Sequence, residues 1–561
     1  PMLDPDTGNS IVFNGEIYNF QLLRMDCEAA GDVFKSDSDT EVILAVYRRH
    51  GVDCLKLLRG MFAFAIWDEQ RQRLFLARDR MGKKPLNYAI SKTNFVFCSE
   101  LQPLSRHPGV DNQMDLEALE LYLQCQFIAA PWTIYRGIRK LPPAHFAVYD
   151  RDGVRIERYW KIDYRSKIQI SEADALDALE EKLTEAVRLR MIADVPLGAL
   201  LSGGVDSSVV VALMAKVSSA PVRTFSIGFE QEAFNELPWA QQAAERCGTL
   251  HHPEMVRGDV EYLLPMLARH YGEPYADSSA VPSFFVSAAA RRHVTVALNG
   301  DGGDELLGGY PRYWLSQPAL LSSRLLGGWI SPERLAQLGA QLITATTIPK
   351  RLIRKVLMQY ANPELRSTMM FAAYWNDAER RELLPDGSNL LPSWRIDWLE
   401  RAFAHADNPV DRMLWLDTHI YLPGCLLVKM DIASMHCGLE TRSPLLDHEV
   451  IEFCARLSVQ HKVNGGVGKY LLKKLAERYF PAEFVHRRKM GFGIPLETWL
   501  RGPLRRVMIE TLRDAELMAP LSIEVVERTL QQFEAGGNEH ESRLWALLMF
   551  GYWRRQQEGR C

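Results

Sequence analysis

A glycine-rich turn between two apolar runs carries side chains that could hold a phosphate group. The turn is Ser202-Gly203-Gly204-Val205-Asp206-Ser207, and it separates the strand-like "LGALL" from the helix-like "SSVVVALMAKV". Glycines let the backbone approach a ligand closely, and free N–H groups at the start of a helix favour an anion. The turn lacks the lysine of a Walker A loop. It therefore predicts a pyrophosphate site, and the alternative is an ordinary strand-to-helix turn.

A second glycine-rich turn is acidic. The segment "VTVALNGDGGDELLGGYPRY" again runs from a strand pattern into a helix pattern, and it carries Asp301, Asp304 and Glu305. Magnesium takes oxygen ligands from one or two carboxylates together with phosphate oxygens. One neutral and one acidic turn therefore suit a nucleoside triphosphate with Mg²⁺. The alternative is a capped helix start with solvated acids.

The predicted secondary structure that must position these turns differs between the first 160 residues and the rest of the chain. Residues 1–160 predict short strands with a few helices, an α+β arrangement. After a polar stretch at 161–170, long helical patterns alternate with short apolar strands, which indicates βαβ units and a parallel sheet. Residues 320–560 are mostly helical in pattern, with glycine and proline breaks near 348, 386–392 and 493–503.

Composition excludes several classes of partner. Lys plus Arg number 66 against 70 Asp plus Glu, so there is no basic footprint for nucleic acid or an anionic membrane. Nine cysteines lie scattered without a C-x-x-C pair, which favours a reducing, cytoplasmic setting. The longest apolar runs, such as Met61–Trp67, are far shorter than the roughly 20 residues that span a bilayer.

Several motifs in order resemble one known family. "LSGGVDSS" resembles the signature of the ATP-pyrophosphatase (PP-loop) synthetases, and its neighbours resemble glutamine-hydrolysing asparagine synthetase. Those neighbours are "TFSIGF", "EPYADSSAVP", "LNGDGGDELLGGYPRY", "VKMDIASMHCGLETRSPLLDH", "GGVGKYLLKK" and "RRKMGFGIPLETWLRGPL". Nearer the start, "VFNGEIYN" and "SDTEVI" resemble a class II glutamine amidotransferase domain.

The resemblance implies a fold and a reaction. Residues 1–160 would form an α+β domain of the Ntn-hydrolase type, and residues 171–561 an α/β PP-loop domain (adenine nucleotide alpha hydrolase-like) with a helical C-terminal part. ATP would activate the β-carboxylate of aspartate as an acyl-adenylate and release pyrophosphate. Ammonia, supplied as such or from glutamine through an internal tunnel, would then displace AMP to give asparagine.

The resemblance also assigns roles in the second domain. Asp206 and Asp304 match positions that hold Mg²⁺ and pyrophosphate. Lys469 matches a lysine that stabilises developing negative charge. Asp301 matches a carboxylate that assists formation or breakdown of the adenylate, where some members have glutamate. The positions that match the ATP site are Leu201, Ser202, Gly203, Gly204, Asp206, Ser207, Ile227, Asn299 and Gly300.

In the first domain, the matching positions concern glutamine. Asn14 and Gly15 match an oxyanion hole, and Glu16 and Asp39 match the groups that hold the α-amino end of glutamine. The alternative for Asn14-Gly15 is a simple turn at the end of a strand, which is a common use of Asn-Gly.

The chain departs from the family at its start. The class II nucleophile is an N-terminal cysteine, whereas this chain begins with Pro1, and its first cysteine, Cys27, falls in a predicted helix. The arginine that should bind the glutamine carboxylate, upstream of "VFNG", is also absent. We interpret the sequence as a fragment that lacks the N-terminal strands and the nucleophile of this domain, and the alternative is a chain that has lost its glutaminase activity. In either case we expect ammonia-dependent activity.

Two further functions stay open at this point. One is a family amidotransferase acting on another carboxylate, such as a sugar acid, a peptide or a β-lactam precursor. The other is a non-catalytic scaffold, against which the retained Asp206, Asp301, Asp304 and Lys469 argue. Relatives often form homodimers, and the sequence does not decide the oligomeric state. His251-His252 is not expected to bind metal, because adjacent residues do not share a helix face.

Overall fold

The structure is a computed structural model. The residues that it describes are 1–91, 94–256, 260–313, 375, 377–385, 398, 400–402, 404–488, 490–491, 493–537 and 540–559. The predicted breaks near 348 and 386–392 lie outside the described residues.

The first part of the chain forms two antiparallel sheets. Six strands pair in the order β1-β2-β3-β4-β8-β9 and three in the order β6-β5-β7. The strands are β1 Met2–Leu3, β2 Ser10–Ile17, β3 Gly60–Asp68, β4 Arg73–Arg78, β5 Asn87–Ile90, β6 Phe95–Cys98, β7 Ile138–Lys140, β8 His145–Asp150 and β9 Gly153–Arg158. The helices are α1 Phe20–Ala29, α2 Asp39–His50, α3 Cys54–Leu57, α4 Leu101–Ser105 and α5 Leu116–Cys125. This confirms the predicted α+β arrangement.

The second part is built on a five-stranded sheet whose neighbouring strands are all parallel. Its order is β12-β11-β10-β13-β14. The strands are β10 Leu197–Leu200, β11 Arg223–Gly228, β12 Leu250–Met255, β13 Val296–Leu298 and β14 Glu440–Arg442, followed by a small pair, β15 Val463–Asn464 and β16 Val467–Gly468. The helices that alternate with the first of these strands are α6 Glu172–Arg190, α7 Val205–Val217, α8 Leu237–Cys247, α9 Leu263–Tyr271, α10 Ala280–Arg291 and α11 Gly303–Leu307. The parallel sheet predicted from the sequence is confirmed.

The described C-terminal part is mostly helical, as predicted. Its helices are α12 Asp377–Leu383, α13 Pro409–Leu416, α14 Leu427–His436, α15 His448–Arg456, α16 Val459–Lys462, α17 Tyr470–Ala476, α18 Ala482–Val485, α19 Leu496–Arg501, α20 Arg505–Leu512, α21 Ala515–Met518, α22 Ile523–Glu534 and α23 Glu541–Gln557, with a π-helical segment at Asp417–Leu426. Along α23 every residue from Arg543 to Trp553 is buried. Within the described residues, no helix combines the length and apolar composition that a membrane crossing requires.

Local sequence explains why the central elements start and stop where they do. The Ser38 hydroxyl accepts a hydrogen bond from the Thr40 N–H at 3.1 Å and caps α2, which ends at Gly51 with φ of 56°. Helix α7 has no polar stripe in its middle, and Ser207–Met214 are all buried. A helix that is apolar on all sides belongs in the core, so α7 is held firmly against the sheet.

A buried carboxylate ties the two parts of the chain together. Asp447 Oδ2 lies 2.8 Å from Arg59 Nε of the first part and 2.8 Å from Arg190 Nη1 of the second. Its other oxygen accepts the Glu449 N–H at 3.1 Å and caps α15. Burial would raise the pKa of Asp447, but Arg190 and Arg59 outweigh it and hold that pKa well below its usual range.

We expect Asp447→Ala to lower the free energy of unfolding by about 3–5 kcal/mol, because it leaves the buried Arg190 guanidinium without its anion and removes one of the two carboxylates that pair with Arg59. Because the pKa of Asp447 is depressed in the folded chain, this contribution is present above about pH 4 and is lost as the pH falls below that value. Urea denaturation at pH 7 measures the loss.

The control is Asp407→Ala. Asp407 pairs with Arg165 at 3.4 Å, and their side chains are 79% and 52% exposed. Such exposed pairs contribute about 0–1 kcal/mol. Equal urea midpoints for the two variants would contradict the role given to Asp447.

Candidate active site

The first glycine-rich turn is closed by its own serines. Ser202 N–H donates to Ser207 Oγ at 3.2 Å, the two hydroxyls lie 3.0 Å apart, and Gly204 N–H donates to Ser202 Oγ at 3.2 Å. Gly203 has φ of 73°, a left-handed conformation that suits glycine. Leu201 N–H donates to Phe225 O at 2.9 Å, which ties the turn to β11, the strand that carries Ile227. The turn is therefore a small closed loop at the carboxyl end of β10 and the start of α7.

The two predicted turns meet. Strands β10 and β13 are parallel neighbours, so the turns that follow them lie at the same edge of the sheet. A Cβ atom on Gly300 would lie 2.6 Å from the backbone nitrogen of Ser207. A Cβ atom on Gly303 would collide with the Asp206 carboxylate. These two glycines allow a backbone approach that any larger residue would prevent.

A buried lysine joins the carboxylates of the two turns. Lys469 Nζ lies 2.8 Å from Asp304 Oδ1, and it also donates to Asp206 Oδ2. Burial acts to lower the pKa of Lys469, but Asp206 and Asp304 outweigh it and raise that pKa above its usual range. The lysine is therefore charged at neutral pH. The structure brings together three side chains that the sequence motifs place far apart.

One of the three acids of the second turn is shielded from solvent. Glu305 is 1% exposed and accepts a hydrogen bond from Tyr310 OH. Burial, with Asp304 nearby, raises the pKa of Glu305 to about 7. The alternative of a capped helix start with solvated acids is therefore wrong for Glu305.

Asp301 lies at the end of a hydrogen-bond chain. Asn299 Nδ2 donates to Asp301 Oδ2 at 2.7 Å, and Ser443 Oγ donates to Asn299 Oδ1 at 2.7 Å. Lys83, from the first part of the chain, donates to Ser443 Oγ at 2.6 Å. Sequence reasoning singled out neither Ser443 nor Lys83. Ser443 lies inside a quoted motif, but nothing in the local sequence marks Lys83.

The predicted glutamine residues cluster around β2. Asn14 and Gly15 lie within β2, opposite Ala63 and Phe62 of β3, so the alternative of a strand-end turn is wrong. A Cβ atom on Gly15 would collide with the Met61 carbonyl oxygen, which explains the glycine.

Two carboxylates lie beside this strand. Asp39 Oδ2 accepts the Ile17 N–H at 3.0 Å, and Glu16 Oε2 lies 3.1 Å from Arg442 Nη2. Burial raises the pKa of Glu16 to about 7 although Arg442 acts against it. Burial also raises the pKa of Asp39, although hydrogen bonds from Ile17 and Thr40 act against it.

Arg442 connects the two predicted sites. Its side chain is paired with Glu16, and its carbonyl oxygen accepts the Asn299 N–H at 2.9 Å. The guanidinium also donates to the carbonyl oxygens of Arg190 and Ile192, at 3.1 and 2.6 Å. The sequence did not single out Arg442, because the sequence of a motif does not show which residues its arginine contacts.

One other residue, Cys27, matches its plain interpretation. Cys27 is buried in α1, and burial raises the pKa of its thiol, which disfavours a reactive thiolate. His251 lies on β12 with Nδ1 3.0 Å from Thr224 Oγ1.

Comparison with known proteins agrees with the motifs. Residues 178–555 match the model of the asparagine synthase family, and residues 1–160 match that of the glutamine amidotransferase domain. The chain is 32% identical to the glutamine-hydrolyzing asparagine synthetase 1 of Bacillus subtilis over 99% of this chain and 86% of that protein. It is 30% identical to the glutamine-hydrolyzing asparagine synthetase 3 of the same organism, over 86% of this chain and 75% of that protein.

A matching solved structure is less similar to the chain in sequence than these two relatives are. A glutamine phosphoribosylpyrophosphate amidotransferase from B. subtilis is 14% identical, over 53% of this chain and 62% of that one, with a TM-score of 0.21. That similarity is too low to support a conclusion about fold.

The contact between the two turns generates a prediction. We expect Gly300→Ala to weaken ATP binding about tenfold or more, because the new Cβ must push the turn away from the Ser207 nitrogen. Isothermal titration with ATP and Mg²⁺ measures the affinity.

The matched control is Gly31→Ala. Gly31 has φ of 95°, and a Cβ atom added there would have no neighbour within 4 Å, so the substitution strains the backbone far from the turns. It should lower the melting temperature yet leave ATP affinity unchanged. If Gly300→Ala binds ATP as tightly as Gly31→Ala does, the close approach of the turns is not needed for binding.

Proposed function

The chain belongs to the asparagine synthase family, and from that membership we propose that it converts aspartate to asparagine with cleavage of ATP to AMP and pyrophosphate. A β-carboxylate oxygen of aspartate attacks the α-phosphorus of ATP, and pyrophosphate leaves. Ammonia then attacks the acyl carbon of the β-aspartyl-adenylate, AMP leaves with the electron pair of the broken C–O bond, and the nitrogen loses a proton. The observation that carries the proposal is the Asp206–Lys469–Asp304 cluster at two meeting glycine-rich turns.

The first turn suits the pyrophosphate part of ATP. Backbone N–H groups at the start of α7 and the hydroxyls of Ser202 and Ser207 are donors of the kind that bind phosphate oxygens. The charged ammonium group of Lys469 stabilises the negative charge that develops on the leaving pyrophosphate, and its burial strengthens that interaction. In the ATP complex, Lys469 exchanges part of its contact with the two carboxylates for contact with phosphate oxygens.

Asp206 and Asp304 have the chemistry of a magnesium site. Two carboxylates already share one cation, Lys469, and carboxylate oxygens are the ligands that Mg²⁺ prefers. Within the described part of the chain, no three His, Cys, Asp or Glu side chains are grouped to hold a metal alone. We infer that these two carboxylates hold Mg²⁺ together with phosphate oxygens, and that the ion neutralises phosphate charge when bound.

We propose that Asp301 serves the acyl-transfer half of the reaction. Its carboxylate is oriented by the Asn299 amide and lies in the same turn as Gly300, which contacts Ser207. A carboxylate at this position can accept the proton that the attacking nitrogen must lose. This role follows from the resemblance to the family and from the orientation of the side chain.

The nitrogen donor is glutamine or ammonia. For glutamine, Glu16 and Asp39 supply negative charge for an α-ammonium group, and Asn14 and Gly15 lie on the adjacent strand. The near balance of 66 basic and 70 acidic residues supports small-molecule partners rather than nucleic acid. A homodimer stays a prediction.

The test is pyrophosphate release from ATP and Mg²⁺ with ammonium or glutamine as nitrogen donor and with aspartate, a sugar acid, a peptide or no acid. We expect aspartate-dependent release with formation of asparagine and AMP. Release that depends on another acid and not on aspartate would contradict the proposed substrate. Release with no acid dependence would contradict the reaction.

A substitution tests the role of the shared cation. We expect Lys469→Met to lower kcat for pyrophosphate release about 10²–10³-fold, because the site loses the buried cation that Asp206 and Asp304 share. The control is Lys474→Met in α17, the helix that Lys469 precedes, where the lysine is 38% exposed and pairs with Glu477. A kcat within twofold of wild type for Lys469→Met would exclude charge stabilisation by this lysine.

The raised pKa of Glu16, about 7, predicts a pH dependence. Glutamine affinity should rise roughly tenfold between pH 6 and pH 8, because the carboxyl group must lose its proton to hold an ammonium group. Glu16→Gln should bind glutamine weakly and equally at both values. Equal dependence in wild type and Glu16→Gln, measured by titration calorimetry, would assign the titration to another group.

A further inference from the structure

Lys83 belongs to the first part of the chain but reaches into the second. It follows β4, in a loop held by the buried carboxylate of Asp79, which accepts the N–H groups of Met81, Lys83 and Lys84 at 2.9–3.0 Å. Lys83 itself is 6% exposed. A loop fixed by three such hydrogen bonds holds its side chain in one direction.

The side chain of Lys83 lines a cavity between the two parts of the chain. Its walls include Met61 and Met81 from the first part and Ser443 and Leu446 from the second, with Lys83 between them. The only hydrogen-bond partner that the structure gives the Lys83 ammonium group within its described residues is Ser443 Oγ, at 2.6 Å. A buried ammonium group would favour more partners, so its placement against one hydroxyl calls for an explanation.

The hydrogen bonds from Lys83 run in one direction. An ammonium group can only donate, so Ser443 Oγ accepts from Lys83 and turns its own proton toward Asn299 Oδ1, 2.7 Å away. That bond fixes which end of the Asn299 amide faces Asp301, and Nδ2 donates to Asp301 Oδ2 at 2.7 Å. One proton arrangement therefore satisfies all three bonds.

We propose that Lys83 is a positioning residue of the synthetase reaction, which orients Ser443 and Asn299 so that the Asn299 amide holds the Asp301 carboxylate. The proposal rests on the proposed function, in which Asp301 serves acyl transfer. Through this chain the first domain completes the active site of the second.

The positive charge of Lys83 sets the direction of the hydrogen bonds through Ser443 and Asn299. Burial lowers the pKa of Lys83 to about 8, although the carboxylate of Asp301 acts to raise it. The other charged groups that face it are Asp431, which also raises its pKa, and Lys84 and Arg190, which lower it. Once Lys83 is neutral, its amine can accept the Ser443 proton, and Asn299 Oδ1 then loses its donor. Activity should therefore fall as the pH rises through about 8.

The experiment compares Lys83→Met and Ser443→Ala with wild type in aspartate-dependent formation of asparagine from ammonia between pH 6.5 and 9.5. The concentration of free ammonia is held constant across this range, so titration of ammonium does not enter the profile. We expect each variant to lose about tenfold in kcat with the KM for ATP unchanged. The decline of kcat above pH 8 should disappear in Lys83→Met. The double variant should be no slower than the single ones, because both act through one chain.

A control separates positioning from stability. Lys140 is a partly buried lysine of the first domain, paired with Glu273 and hydrogen-bonded to Ile128 O, and it lies outside the hydrogen-bond chain to Asp301. Lys140→Met should lower the melting temperature and keep the alkaline decline. If Lys83→Met does not fold, Ser443→Ala, which removes a single hydroxyl, carries the test alone.

The outcomes are distinct. Additive effects in the double variant, or an alkaline decline that survives in Lys83→Met, would overturn the positioning role. So would a kcat within twofold of wild type in Ser443→Ala. A wild-type chain that forms no asparagine from aspartate and ammonia would instead contradict the proposed function.

Discussion

Two carboxylates from different turns, those of Asp206 and Asp304, share the ammonium group of Lys469. Without that cation, the close contact that Gly300 and Gly303 allow would bring like charges together in a partly buried place. With it, the carboxyl ends of β10 and β13 form one site that is rich in backbone donors and has opposite charges in reach. The parallel sheet brings the two turns side by side, and the positive charge of Lys469 offsets the repulsion between their carboxylates.

The same arrangement of buried, paired charge recurs where the two parts of the chain meet. Asp447 binds Arg59 and Arg190, Lys84 binds Asp431 at 2.8 Å, and Arg442 binds Glu16. Such pairs lose much of their solvation, so they favour one relative placement of the domains over others rather than adding much stability. The contacts also reach both predicted sites. Arg442 spans from Glu16 to the backbone of Asn299, and Lys83 extends from the first domain toward Asp301.

Local patterns predicted the elements and the turns well. The strand, glycine-rich turn and helix around Ser202 and around Asp301 required only short-range periodicity and glycine placement, and the parallel sheet followed from their alternation. The Asn14-Gly15 pair shows the limit of such signals, because pairing with β3 outweighs the turn preference of Asn-Gly. Lys83, Ser443 and Arg442 could not be found from the sequence. These three residues matter because of contacts with residues hundreds of positions away along the chain. The spacing of residues in a sequence does not reveal such contacts.

The central claim is that aspartate attacks the α-phosphorus of ATP at the Asp206–Lys469–Asp304 cluster. The most direct measurement is transfer of ¹⁸O from carboxylate-labelled aspartate, followed by mass spectrometry of the phosphorus products. An acyl-adenylate broken by ammonia leaves one labelled oxygen on AMP and none on pyrophosphate. Label in inorganic phosphate, or AMP that carries no label while asparagine is formed, would contradict the account.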